Sequence, residues 1–194
     1  MTDFPVVQDE RPAGTPSASR IASPSYPRLA RYLHWINAVI VAILLVTAVW
    51  ADQLEKGAMR GALYTLHIGT AVLAIPLLFA RVGNSLIGGS LPAPEGTPQW
   101  QAMLAGLVHK ALLLLLLWQP LTGVAMYVIE GESITPFGLF VIPGVADPVP
   151  ALASALRFAH EAGAVALYVA LALHLAGAAS HIAKRDGVIR RMIG

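Results

Sequence analysis

The sequence contains no cysteine, which excludes disulfides, thiolate-held iron–sulfur clusters and thioether-attached haem together. It is also poor in charge. Only 12% of the 194 residues are charged against 56% hydrophobic, about half the charged share of an ordinary soluble domain. Nothing in the placement of the basic residues points to nucleic acid.

What is present is long apolar runs. Residues 32–51, 61–80, 111–129 and 162–183 contain no Asp, Glu, Lys or Arg and are 20, 20, 19 and 22 residues long. Each reaches the length of about 20 residues that spans a bilayer. Backbone in hydrocarbon must satisfy its own hydrogen bonds, so four such runs predict an all-α integral membrane four-helix bundle over residues 28–194. A further charge-free stretch, 133–146, is only 14 residues long and holds Pro136, Gly138, Pro143 and Gly144, which reads as loop. Residues 1–27, with five prolines among Ser, Thr and Ala and no signal-peptide core, read as a disordered tail.

Ten of the thirteen Lys and Arg residues fall in the two termini and the connection between the second and third spans. The opposite side has Lys56, Arg60 and Arg157 together with six acids. The positive-inside rule then puts both termini in the cytoplasm. The connection between the third and fourth spans, loop 3 at residues 130–156, lies on the outer face and carries Phe137, Leu139, Phe140, Val141 and Ile142. That apolar set is expected to lie on the membrane interface or to cover something beneath it. Pro120 is expected to kink the third span. No internal repeat is strong enough to argue an inverted pair of halves.

All six histidines, His34, His67, His109, His160, His174 and His181, lie in or at the ends of the spans. An ionisable side chain in a membrane is costly and is expected to face the interior with a partner. His160 and His174 are 14 residues apart, which places them within about 40° on one helix face and roughly 21 Å apart in height. By depth His67 matches His160 near the outer face, and His34 matches His174 near the cytoplasm. Two pairs of axial imidazoles between helices predict two b-type haems in the core. Zinc fits less well, because each pair lacks the third and fourth donors of a zinc site. The competing reading is a cofactor-free scaffold or transporter in which the histidines only hydrogen-bond between helices. His109 and His181, both at the cytoplasmic end, are candidates for a quinone site or for surface positions. Arg60 and Arg157 are candidates for haem propionate or substrate contacts. Trp35 and Trp50 suit interfacial anchors, and Trp35 also adjoins a ligand candidate.

The string Tyr26-Pro27-Arg28-Leu29-Ala30-Arg31-Tyr32-Leu33-His34-Trp35, the Leu66-His67-Ile68-Gly69 segment and the His160-Glu161 pair followed by His174 and His181 resemble the bacterial cytochrome b561 family. Within it the likeness is to the four-helix, dihaem superoxide oxidases. The resemblance implies axial ligation by His34, His67, His160 and His174, superoxide as donor at the outer face and ubiquinone as acceptor at the cytoplasmic side. It also matches His181 to a histidine near the quinone region and His109 to one on the third helix. Related dihaem cytochromes serve as electron-transfer subunits, so a periplasmic redox protein or dehydrogenase is the alternative donor.

Overall fold

The computed structural model describes residues 25–94 and 96–193. The expected tail lies outside these residues except for its last three. Of those, Tyr26 is held in place: its N–H donates to Arg191 O at 3.0 Å, and its hydroxyl accepts from the Leu91 N–H at 3.3 Å.

Four long helices follow, α1 Arg28–Gln53, α2 Ala58–Gly88, α3 Gln99–Ile129 and α4 Pro150–Lys184, with a short α5 at Arg190–Ile193. All four are long and apolar enough to cross a membrane. Their composition explains them: Ala and Leu are strong helix formers, and a helix satisfies every backbone group within the segment. The helices outrun the charge-free runs because a charge near a helix end marks the edge of hydrocarbon and not the end of the helix. With 26 to 35 residues, each is about 39 to 52 Å long against a hydrocarbon core of about 30 Å.

This corrects the expected extent of loop 3. Helix α4 begins at Pro150, a residue suited to the first helical turn, so the loop ends at 149 and residues 150–156 belong to the helix. The helix closes at Arg185, a left-handed residue with φ 53°. Helix α3 is continuous through Pro120, as α2 is through Pro76.

The packing divides the bundle into two hairpins: α1 lies chiefly on α2, and α3 chiefly on α4. Small buried residues line the seams, among them Ala51, Ala71, Ala74, Ala153 and Ala170, which is how membrane helices approach closely. Large apolar residues such as Ile43, Val46, Leu114 and Val165 face outward. Loop 3 folds over its end of the bundle. Its Ile134 and Ile142 exchange backbone hydrogen bonds of 2.9 and 2.8 Å, and Pro136 opens a 3-10 turn, Pro136–Gly138, with its side chain fully buried. Phe137, left-handed at φ 49°, sets its ring on Gly69, where a Cβ would lie 2.8 Å from the ring. Phe137 thus lays one side of its ring on α2 while remaining exposed on the other, and Leu139, Phe140 and Val141 are exposed as well.

Candidate functional site

Near the loop-3 end, His67 on α2 and His160 on α4 are held in the same manner. His67 Nδ1 lies 2.9 Å from Leu44 O and 3.3 Å from Thr47 Oγ1 on α1. His160 Nδ1 lies 3.0 Å from Gln119 O and 3.2 Å from Thr122 Oγ1 on α3. A carbonyl only accepts, so each Nδ1 carries the proton and each Nε2 is left as a free lone pair. Gly123 fits beneath the second ring, since a Cβ there would come within 3.1 Å of His160.

The match extends along the chain. His34 and Thr47 are 13 residues apart, as are His109 and Thr122; His67 and Arg81 are 14 apart, as are His160 and His174. Both threonines sit three residues after the carbonyl that shares the clamp. Helices α1 and α3 run in the same direction, so the two hairpins form a parallel repeat. This is a different symmetry from that of an inverted pair.

The terminal end is organised otherwise. The rings of His34 and His174 have centres 6.2 Å apart, and His109 meets His174 edge-on at 5.3 Å. None of the three has a hydrogen-bond partner among the described residues. Two imidazoles on opposite sides of one iron bring their centres about 6 Å apart, from iron–nitrogen bonds of about 2 Å and ring half-widths of about 1 Å. His34 with His174 fits that span, and His109 with His174 falls short of it. The free Nε2 atoms of His67 and His160 are likewise the donor type a haem iron takes. The donor chemistry at both ends therefore fits haem.

The other expected residues have protein partners. Arg157 pairs with Glu130 at the mouth of loop 3. Arg60 donates to Leu54 O at 3.0 Å and to the Tyr64 hydroxyl at 3.3 Å, which in turn donates to Asp52 at 2.8 Å. His181 stands apart from the three-histidine cluster and bonds Asp186 at 2.6 Å. That bond holds the Asp186 carboxyl below its ordinary pKa. Trp35 adjoins His34, ring centres 5.2 Å apart, and its indole N–H donates to Met192 O at 3.1 Å. Sequence reasoning missed Thr47 and Thr122. The signal was the repeated His-to-Thr interval, which shows only when α1 is laid on α3.

Membrane-length helices with imidazoles turned into their bundle define a membrane cytochrome of the b type. The model of the prokaryotic cytochrome b561 family matches residues 25–194, and the chain belongs to that family. It is thus a membrane haem b protein of electron transfer. No curated protein matches the chain.

Proposed function

We propose that residues 28–194 form one dihaem unit that carries electrons from superoxide at the outer face to ubiquinone at the cytoplasmic side. His67 and His160 hold the outer haem b, and His34 and His174 the cytoplasmic one. The observation that carries this reading is the two-tier placement of the imidazoles, with the 6.2 Å separation of His34 and His174 at one tier and two clamped, Nε2-free rings at the other. The excess of Lys and Arg on the terminal side supports cytoplasmic termini in a bacterial inner membrane.

Haem iron supplies a one-electron carrier. The chain's own residues bind and orient it, and they handle protons. Each superoxide gives up one electron and leaves as dioxygen; two electrons and two cytoplasmic protons convert ubiquinone to the quinol. His181, hydrogen-bonded to Asp186 beside the terminal end, is placed to hold a proton at the cytoplasmic side. His109, edge-on to His174, is the candidate contact for the quinone ring at that side. Arg60 and Arg157 remain candidates for propionate or superoxide contacts, although Asp52 and Glu130 offset their charge.

A second reading is an electron-transfer subunit fed by a periplasmic redox protein, and the exposed Leu139, Phe140 and Val141 of loop 3 favour it. The purified protein, given a superoxide source and a soluble ubiquinone, separates the two. Quinone reduction at the expense of superoxide is expected; a requirement for a protein donor would overturn the first reading in favour of the second.

A further inference from the structure

The two tiers differ in what touches the back of each imidazole. At the loop-3 end each Nδ1–H faces a main-chain carbonyl, at 2.9 Å for His67 and 3.0 Å for His160. The threonine hydroxyls complete the arrangement. Thr47 Oγ1 donates its hydrogen to Ile43 O at 2.8 Å, and Thr122 Oγ1 to Trp118 O at 2.7 Å. With the hydroxyl hydrogen committed to the carbonyls three and four residues back along its own helix, the oxygen turns a lone pair to the imidazole at 3.3 and 3.2 Å. Each Nδ1–H is thus shared between two acceptors. At the terminal end His34, His109 and His174 have no such acceptor among the described residues.

An acceptor behind an imidazole fixes its tautomer and makes the opposite nitrogen a stronger donor. A stronger donor stabilises ferric over ferrous iron, and hydrogen bonding around the axial ligands is one of the levers on haem potential. The charges act in the same sense. Asp52 bears on His67 and Glu161 on His160, where Arg157 opposes it but is itself paired with Glu130, while Arg81, half-buried in α2 and without an acidic partner among the described residues, bears on His34 and His109. Negative charge favours the oxidised centre and positive charge the reduced one.

We infer that Thr47 and Thr122 are positioning residues that lock the Nδ1–H form of His67 and His160 and make the loop-3-end haem the lower-potential of the two. The inference rests on the bis-histidine reading proposed above, and it gives the bundle a downhill direction from the loop-3 end to the terminal end.

Redox potentiometry on the purified holoprotein, followed by visible absorbance, tests it. His67→Ala identifies the loop-3-end component by its disappearance, and that component is expected to be the lower one. Thr47→Val and Thr122→Val, which keep side-chain shape and remove the acceptor, are expected to move the lower component upward and leave the higher one in place. Thr47→Ser and Thr122→Ser are expected to restore the original value. The inference is overturned if His67→Ala removes the higher component, if the valine variants move the higher component or neither, or if serine fails to restore the shift. Should one valine variant not accumulate, the other and the serine pair decide by the same criteria. A wild-type protein without two haems overturns the bis-histidine reading, and this inference with it.

Discussion

The two ends of the bundle hold histidines by opposite means. At the loop-3 end each ring is gripped by a carbonyl and a threonine of the neighbouring helix. At the terminal end three rings converge edge-on with no hydrogen bond among the described residues. The first arrangement is set by main-chain geometry before any cofactor arrives; the second leaves orientation to packing and to whatever binds. One pair of rings is tethered by polar contacts, and the other three are placed by packing alone.

The largest expected effects break the comparison at its root. His67→Ala and His160→Ala should each remove the loop-3-end haem, halving haem content by the pyridine haemochrome assay, and His34→Ala or His174→Ala should do the same at the terminal end. His109→Ala should keep both haems. If His109→Ala loses one and His34→Ala does not, the terminal pairing is His109 with His174 instead.

Next come the glycines that the loop-3 end uses as cradles. Gly69→Ala brings a Cβ within 2.8 Å of the Phe137 ring, and Gly123→Ala within 3.1 Å of the His160 ring. Overpacking of this kind costs about 1–3 kcal/mol, read as a lowered thermal midpoint. Gly106→Ala, with nothing within 4 Å, is the control and should be neutral or stabilising by up to about 1 kcal/mol.

At the terminal end, Trp35→Phe removes the hydrogen bond to Met192 O. A loss of about 0.5–1.5 kcal/mol is expected, seen as faster tryptic cleavage at Arg190 and Arg191. The His181–Asp186 contact adds a pH signature. Because the Asp186 carboxyl is held below its ordinary pKa, the contact's contribution is complete above the ordinary carboxylate pKa. It fades as pH falls through the depressed value. Cleavage of the C-terminal segment by an acid-active protease should rise over that acidic window, and Asp186→Asn should flatten the rise. The smallest effect is expected from Glu130→Gln. The Arg157–Glu130 pair is exposed, so its loss should cost no more than about 1 kcal/mol and less at high salt.

The bundle was legible from charge-free runs because hydrocarbon selects against charge over a whole span, and four runs gave four helices. Their ends were less legible. Arg157 and Glu161 interrupt the apolar pattern at the start of α4, yet a helix passes through the interface where charge is welcome, so Pro150 and not Ala162 opens it. The depth matching of the histidines came from helical rise together with the inferred topology, and the rings of His34 and His174 lie 6.2 Å apart. The clamps did not show in the same way. A carbonyl acceptor has no side-chain signature, so Leu44 and Gln119 carry no mark of their role, and Thr47 and Thr122 look like ordinary polar residues tolerated in a span by bonding back to their own helix. The convergence of His109 on His174 depends on the rotation of α3 about its axis, which the run of six leucines at 112–117 does little to reveal because it marks no face.

The parallel repeat makes each half self-sufficient in one respect. Helix α1 grips the imidazole of α2, and α3 grips that of α4, so severing the chain within residues 89–98 leaves both rings already aimed. A single hairpin meeting its own duplicate would present the same clamped imidazole twice, once on each side of a dyad. Seen so, the twenty residues 130–149 and Arg81, which stands in the first hairpin where the second has His174, are what set one half apart from the other.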